Sequence, residues 1–185
     1  MERRSGQPRY LPAEDTYLLK KSVARYGGGS CLEIGFGTGA VLASVAGSFS
    51  LAVGTDIMGL EDAKQALEGP VQIVLTDRAK CFRDGSFDLV YFNPPYLPSQ
   101  TIEDRAVDGG PSGVEVPIAF LEEGLRVLRR GGRILALLSE EGDVSAFLAR
   151  CSELGLSASQ VGERKIFYET LRVFEMSRRE EGRES

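Results

Sequence analysis

Short apolar segments alternate with longer helix-like segments along most of this chain, and this alternation restricts the possible folds more than any other feature. The apolar segments cover residues 31–34, 51–55, 71–75, 87–92 and 134–138. The helix-like segments cover residues 14–26, 40–46, 57–66, 116–128 and 143–154. Near-continuous apolar strands that are joined through helices form parallel sheets buried on both faces. With two closing strands near 157–166 and 170–176, we predict an α/β fold: a seven-stranded, mostly parallel sheet with helices on both faces.

Three of the predicted strands run directly into unusual residues at their carboxyl ends. The first leads into a glycine-rich loop, the second ends at Asp56, and the fourth runs into Asn93-Pro94-Pro95-Tyr96 (the NPPY segment). Parallel α/β sheets bind ligands just outside the carboxyl ends of their strands, where the strand order reverses. We therefore expect these residues to line one ligand site along a single edge of the sheet.

The loop after the first strand contains Gly35, Gly37 and Gly39. Glycine lets the backbone turn sharply and approach a ligand closely, here just before a helix begins. Together with Ala40, the spacing also fits the dinucleotide-binding pattern, and Asp56 has about the spacing expected of a ribose-binding acid. The loop alone is therefore compatible with a nicotinamide dinucleotide.

The acidic residues around this loop favour a different ligand. Glu33 is a carboxylate within an apolar strand, and its burial is costly unless it is hydrogen-bonded or paired. It would repel a pyrophosphate, whereas a sulfonium donor has no phosphate and needs acids for its ammonium group and its ribose hydroxyls. Glu33, Asp56 and Asp77 can supply these acids, so we predict that the chain binds S-adenosylmethionine. The structural alternatives are a strand residue for Glu33, a helix N-cap for Asp56 and a turn residue for Asp77.

The NPPY segment is the most specific motif in the chain. Its prolines remove two backbone donors and keep Asn93 out of the helical region, so free carbonyls can accept hydrogen bonds. Asn93 adds a side-chain acceptor, and Tyr96 adds a flat face. This combination can hold a planar –NH2 group with its lone pair directed at an electrophilic methyl group, which makes Asn93, Pro94, Pro95 and Tyr96 the catalytic candidates. The alternative is a rigid turn before a loop.

Composition excludes several other function classes. The chain has no histidine, which rules out histidine general bases, Ser-His-Asp triads and most zinc hydrolase chemistry. Its three cysteines are far apart, so we expect buried thiols in a reduced compartment and no metal site. The net charge of −5 argues mildly against a nucleic-acid partner. Without a membrane span or a signal-peptide core, we expect a cytoplasmic protein.

Residues 33–39 and 93–96 together resemble the HemK family of protein-glutamine N5-methyltransferases, which are class I methyltransferases that act on release factors. Residues 10–16, 108–115 and 169–173 resemble the opening, the loop after the catalytic motif and the closing strand of its short eukaryotic and archaeal branch. These segments span nearly the whole chain. The resemblance implies a Rossmann-like class I methyltransferase fold.

The resemblance also implies a substrate, a cofactor site and a partner. The substrate is the glutamine in the Gly-Gly-Gln loop of a translation termination (release) factor. The donor-site residues it implies are Thr16, Glu33, Gly35, Asp56, Asp77 and Asn93, to which the glycine pattern adds Gly37 and Gly39. Enzymes of this branch typically need a small zinc-binding activator protein that pairs with the edge of the sheet. The apolar strand at 71–75, which we expect to be outermost, is the candidate edge.

The length of the chain fits a single domain, which we assign to residues 1–176, followed by a charged, disordered tail at 177–185. We predict that the stretch from 97 to 113 is irregular, and it is longer than ordinary connections. Within it, residues 101–113 form either a substrate-facing lid or a disordered surface loop.

Two other functions are compatible with the same motifs. An N6-adenine-specific nucleic-acid methyltransferase faces the same chemical problem, because a nucleobase also presents a planar –NH2 group. A non-catalytic, cofactor-binding scaffold is the third possibility, although it has no use for the NPPY segment. Chain length, acidity and the flanking motifs favour the glutamine substrate.

Overall fold

A computed structural model describes residues 14–57, 63, 71–99, 108–166 and 169–179. The strands are β1 (Gly28–Ile34), β2 (Phe49–Asp56), β3 (Val71–Leu75), β4 (Phe87–Phe92), β5 (Leu97–Pro98), β6 (Asp108–Gly110), β7 (Leu128–Ser139), β8 (Leu156–Ile166) and β9 (Glu169–Arg178). Seven of them form one sheet in the order β3-β2-β1-β4-β7-β9-β8. The strands from β3 to β7 in this order are parallel, and β9 is antiparallel to both β7 and β8. The predicted sheet, with residues 71–75 at its edge, is confirmed.

Helices cover both faces of this sheet. The described α-helices are α1 (Glu14–Val23), α2 (Ala40–Val45), α3 (Glu115–Val127) and α4 (Val144–Glu153). Successive residues of a strand point to opposite faces, so each central strand supplies two cores. Cys31 and Leu89 pack with α1 and α2, whereas Leu32 and Val90 pack with α3 and α4. In the described part of the chain, no helix is long and apolar enough to cross a membrane.

Several strands are longer than predicted, and β7 and β9 show this most clearly at the sheet's antiparallel side. β7 begins at Leu128, six residues before the apolar run, and its pairing with β4 is irregular between Phe87 and Leu89. β9 continues to Arg178, two residues beyond the closing strand predicted near 170–176. Strand pairing satisfies the backbone groups of a residue whatever its side chain, so a strand can extend beyond its apolar run. The end of β9 is also held by a side chain, because the Arg178 guanidinium donates to the carbonyl of Leu125 at 2.9 Å. Residues 180–185 lie outside the described residues.

The prediction of a wholly irregular stretch from 97 to 113 is wrong. β5 and β6 form a small parallel sheet, and the amide of Ser99 also donates to the carbonyl of Gly110 at 2.9 Å. Residues 100–107 lie outside the described residues, so the lid role stays a prediction. The helix predicted over 57–66 also lies largely outside them, although Ala63 is helical and buried.

The register of the central strands brings their carboxyl ends to one level. Glu33 of β1 lies beside Gly54 of β2 and Tyr91 of β4, and the next residue, Ile34, lies beside Thr55 and Phe92. The glycine loop, Asp56 and Asn93 each follow directly from these pairs. They therefore meet at one edge of the sheet, as expected from the parallel topology.

Candidate active site

The glycine loop is held against the end of β2 by three backbone donors. The amides of Gly35 and Phe36 donate to the carbonyl of Thr55 at 2.7 and 3.1 Å, and the amide of Gly37 donates to Oδ2 of Asp56 at 3.0 Å. Gly37 has a φ of +52°, which favours glycine, and no atom lies within 4 Å of where a Cβ would stand. The loop is an ordered turn whose open side allows a ligand to approach the backbone.

Glu33 is a buried carboxylate, only 3% exposed, directly before this loop. Gly39 precedes α2 and has no side chain to cap it, and the backbone amide of Leu42 in the first turn bonds to the Glu33 carboxylate instead. Burial raises the pKa of Glu33 to about 8, although the Leu42 amide acts to lower it. The hydroxyl of its neighbour Tyr91 also acts to lower this pKa, although neither that hydroxyl nor Oε2 of Glu33 makes a hydrogen bond of good geometry. Glu33 therefore holds the loop, and its Oε2 atom lacks a well-formed hydrogen bond.

Asp56 ends β2 and stabilises both the loop and its own turn. Its Oδ2 accepts from the Gly37 amide, and its Oδ1 accepts from the amide of Ile57 at 2.7 Å. A carboxylate at this point, beside the open side of the loop, can accept hydrogen bonds from the vicinal hydroxyls of a ribose.

Asp77 lies at the same edge but is engaged by cations of its own turn. The amide of Thr76 donates to the carbonyl of Asp56 at 2.9 Å, which ties the end of β3 to the end of β2. The Asp77 carboxylate accepts from Lys80 at 2.5 Å and from Arg78 at 3.2 Å. The hydrogen bond from Lys80 is the main cause that lowers the pKa of Asp77. Asp77 lies at the expected edge of the sheet, but Lys80 and Arg78 already balance the charge of its carboxylate.

Asn93 begins the NPPY segment and is held by a residue of the first helix. Its Nδ2 donates to Oδ2 of Asp15 at 2.8 Å, and the Asp15 side chain is buried at the start of α1. The other Asp15 oxygen, Oδ1, accepts from the amide of Thr16 at 2.6 Å. The Oδ1 atom of Asn93 is buried and has no hydrogen-bond partner among the described residues. The site thus contains an oriented amide whose oxygen can accept a hydrogen bond from a ligand.

Tyr96, at the other end of the segment, is half-buried and bonded to the start of β9. Its hydroxyl shares a side-chain hydrogen bond with Glu169, whose Oε2 also accepts from Oγ of Ser139 at 3.0 Å. Burial, followed by the charges of Glu169, Asp15 and Glu141, raises the pKa of Tyr96 above its ordinary value. The ring is therefore fixed beside several carboxylates, and its hydroxyl stays neutral.

The loop formed by residues 108–115 packs directly on the NPPY backbone. A Cβ on Gly113 would lie 2.6 Å from the carbonyl oxygen of Tyr96, so this approach requires glycine. Glu115 fixes the turn, because its carboxylate accepts from the amide of Ser112 at 3.1 Å and from the hydroxyl of Ser112 at 2.9 Å. The loop supports the segment from outside the sheet.

The available groups fit S-adenosylmethionine better than a dinucleotide. Three carboxylates, those of Glu33, Asp56 and Asp77, lie at or just beyond the carboxyl ends of neighbouring strands, where the glycine loop is open. Acids of this kind accept from an ammonium group and from hydroxyls, but they repel phosphate. The unpaired Oε2 of Glu33 is the observation that most needs a donor or cation from a ligand.

The structure brings the predicted site residues together at one edge of the sheet. They are Thr16, Glu33, Gly35, Gly37, Gly39, Asp56, Asp77, Asn93, Pro94, Pro95 and Tyr96. Their roles toward a cofactor and a substrate stay predictions. Sequence reasoning did not assign a role to Asp15, Glu169 or Gly113, although all three lie in segments that resemble the family. A position within such a segment was the only signal that could have identified them.

Two curated relatives match this chain over most of their length. The chain is 30% identical over 175 residues to a Methanocaldococcus jannaschii protein assigned as a protein N5-glutamine methyltransferase, with 89% of each chain covered. It is 31% identical over 192 residues to the methyltransferase HEMK2 of Mus musculus, with 91% of this chain and 89% of the relative covered. No family profile matches the chain.

A solved structure of similar architecture comes from E. cuniculi. It contains Mtq2 in complex with Trm112, which is responsible for the methylation of the translation termination factor eRF1. The two chains are 29% identical, with a TM-score of 0.77, and the match covers 92% of this chain and 98% of the other.

Proposed function

The chain belongs to the HemK-type family of protein N5-glutamine methyltransferases, and we propose that it methylates the glutamine of the Gly-Gly-Gln loop in a translation termination factor. It is an S-adenosylmethionine-dependent methyltransferase with the Rossmann-like class I fold. We place the reaction in the cytoplasm, where such a factor would be available.

The observation that carries this proposal is the unpaired Oδ1 atom of Asn93 at the donor edge of the sheet. A glutamine amide is a weak nucleophile, because its nitrogen lone pair is delocalised into the carbonyl. An acceptor that takes one of its two N–H hydrogens aligns the nitrogen and favours pyramidalisation. A buried acceptor that already lacks a partner performs this task without losing a bond to water.

The reaction follows from the residues around this acceptor. When bound, S-adenosylmethionine supplies an electrophilic methyl group on a positively charged sulfur. Asn93 Oδ1 accepts one amide hydrogen of the glutamine, and a proline carbonyl of the NPPY segment accepts the other. With the donor bound, the glutamine nitrogen would bond to the methyl carbon, the C–S electron pair would return to sulfur, and one amide proton would leave to solvent. Tyr96 covers the plane of the amide.

We assign the donor-holding roles to the acids at the edge. Asp56 accepts from the ribose hydroxyls, and Asp77 and Thr16 border the remainder of the donor. Glu33 faces the ammonium group, whose positive charge would lower the raised pKa of this carboxyl and complete its missing contact. Gly35, Gly37 and Gly39 leave room for the donor beside the loop.

The acidic surrounding of Tyr96 disfavours the alternative nucleic-acid substrate. Three carboxylates, those of Glu169, Asp15 and Glu141, act on the Tyr96 hydroxyl. A flipped adenine would bring a phosphate backbone close to these charges, and nucleic-acid enzymes offset such charge with lysine and arginine.

A methyl-transfer assay tests the substrate. The purified chain, with its activator, is given labelled S-adenosylmethionine and one of three acceptors: the release factor, its variant with the Gly-Gly-Gln glutamine replaced, or adenine-containing single-stranded DNA. We expect label on the unaltered release factor alone. Label on DNA and none on the release factor would overturn the proposal.

We further propose that a small zinc-binding activator protein docks on the free edge of β3. Among the described residues, four large hydrophobic side chains are exposed, and three of them, Leu51, Ile57 and Leu75, lie on or directly after β2 and β3. An open apolar edge promotes aggregation unless another chain covers it. The solved E. cuniculi structure is a complex of Mtq2 with Trm112, which supports a partner of this kind.

Size-exclusion chromatography with and without the activator tests this surface. The Leu75→Asp variant should lose the complex, because Leu75 is 49% exposed and a charge there would be desolvated on docking. The Ala158→Asp variant provides the control, because Ala158 is exposed on β8 at the opposite edge of the sheet. A wild-type chain that is monomeric, soluble and fully active alone would contradict the proposal.

A further inference from the structure

We infer that Asp15 is a positioning residue that sets the orientation of the Asn93 amide, an inference that rests on the proposed methyl-transfer function. The carboxylate of Asp15 and the amide of Asn93 are joined by a hydrogen bond of 2.8 Å between groups 78 positions apart in the chain. This bond decides whether the oxygen or the nitrogen of the Asn93 amide is presented to the substrate.

The chemistry of the pair allows only one orientation. An ionised carboxylate can only accept hydrogen bonds, so the amide group must turn its NH2 toward Asp15. If the amide were rotated by 180°, Oδ1 would face a carboxylate oxygen, and two acceptors would repel each other. Asp15 therefore fixes Oδ1 on the opposite side, where it is buried and unpaired.

The negative charge has a second effect on the same atom. A hydrogen bond to a charged partner is about twice as strong as a neutral one and polarises the group that donates it. Electron density in the Asn93 amide shifts toward Oδ1, which becomes a stronger acceptor as positive charge develops on the methylated nitrogen. The contribution is therefore expected in the transition state more than in substrate binding.

The Asp15 carboxylate is itself held in place. Its Oδ1 accepts from the Thr16 amide at 2.6 Å, and the side chain is 3% exposed. The helix that carries it is anchored by Leu18, Leu19 and Val23, all of which are buried in the core between α1 and the sheet. The carboxylate cannot swing away, so the orientation of Asn93 is preset before any ligand arrives.

Kinetics of two substitutions separate geometry from charge. Asp15→Ala removes the contact, and we expect kcat to fall roughly 100-fold because the amide can rotate. Asp15→Asn retains an oxygen that can accept from Asn93 Nδ2 but has no charge, so the expected loss in kcat is on the order of tenfold. The KM for the release factor and the Kd for S-adenosylmethionine should change less than about threefold in both.

Glu14→Gln, one residue earlier and in a partly exposed ion pair with Arg164, is the matched control and should behave as wild type.

A measurement that needs no turnover keeps the inference separate from the substrate assignment. In ¹⁵N-labelled protein, the side-chain NH2 of Asn93 should show slow solvent exchange and a downfield shift of the proton bonded to Asp15, both of which Asp15→Ala should remove and Glu14→Gln should preserve. Unchanged Asn93 signals in Asp15→Ala, or a loss expressed only in the KM of the release factor, would overturn the positioning role. If the wild-type chain methylated no release factor but the Asn93 signals behaved as expected, the substrate would be wrong and the positioning role would stand.

Discussion

The backbone of Gly109 passes so close to Tyr96 that a Cβ atom at position 109 would lie 2.8 Å from the Tyr96 Cα and 2.7 Å from the carbonyl oxygen of Gly113. Both of these neighbours are backbone atoms, which cannot turn away as a flexible side chain could. The loop after the NPPY segment is therefore a fixed support for Tyr96. The absence of a side chain at 109 is a requirement of the site.

Gly109→Ala should displace the NPPY backbone by several tenths of an ångström and lower kcat by roughly tenfold, because misplacement of a substrate-positioning group by about 1 Å costs about 100-fold. The affinity for S-adenosylmethionine, measured by calorimetry, should remain within about threefold of wild type. Gly47→Ala is the matched control, since no atom lies within 4 Å of its Cβ position. Equal kcat values for the two variants would show that Tyr96 is not held by this loop.

Glu33→Gln should make the protein more stable at alkaline pH. Because the pKa of Glu33 is raised to about 8 in the folded state, that state binds one proton more than the unfolded state between the ordinary value near 4.5 and pH 8. The free energy of unfolding therefore falls as pH rises through this window. Above pH 8 the folded state carries the full cost of ionising the buried Glu33. The upper limit of that cost is roughly 5 kcal/mol.

Urea unfolding from pH 5 to pH 9 tests the effect of Glu33. The free energies of unfolding of wild type and Glu33→Gln should be similar near pH 5 and should diverge as pH rises, with the variant more stable. The same variant should bind S-adenosylmethionine more weakly, since a neutral amide cannot pair with an ammonium group. A constant difference across the pH range would mean that Glu33 does not titrate in the folded state.

Asp56→Ala should weaken the donor site in two ways. It removes the acceptor proposed for the ribose hydroxyls and also the bond that holds the Gly37 amide at 3.0 Å. Each hydrogen bond to a charged group contributes about 1.5 to 3 kcal/mol, so the Kd for S-adenosylmethionine should rise at least tenfold, as measured by calorimetry. Asp84→Ala, at an exposed carboxylate paired with Arg126, is the control and should leave the Kd unchanged. Comparable affinities would remove Asp56 from the donor site.

Tyr96→Phe should separate the function of the ring from that of its hydroxyl. The variant keeps the flat face but loses the hydrogen bond with Glu169, so we expect a loss of about 1 kcal/mol in stability and a fall of less than about tenfold in kcat. Tyr96→Ala removes the face as well and should abolish measurable turnover. The two variants should differ in steady-state methyl transfer to the release factor, and identical losses would place the whole contribution in the hydroxyl.

The sheet and its ligand edge could be predicted because they depend on local pattern. The bounds of β3 and β4 agree with the predicted apolar runs 71–75 and 87–92, since runs of this kind bury both faces of a strand. The start of β7 could not be predicted, because residues 129–132 are arginines and glycines that interrupt the apolar pattern, and only the pairing of Leu128 with Phe87 of β4 places the strand start there.

The sequence by itself determined the alternation of elements, the glycine loop and the NPPY segment, because each is written in adjacent residues and their physical preferences. It did not distinguish Asp15 from Glu14, since acids are common in the first turn of a helix and both residues fit there. Only the tertiary structure buried Asp15 and placed it 2.8 Å from Asn93, while Glu14 remained partly exposed. Contacts between residues so far apart depend on which helix covers which strands, and that choice is made by the packing of the whole core.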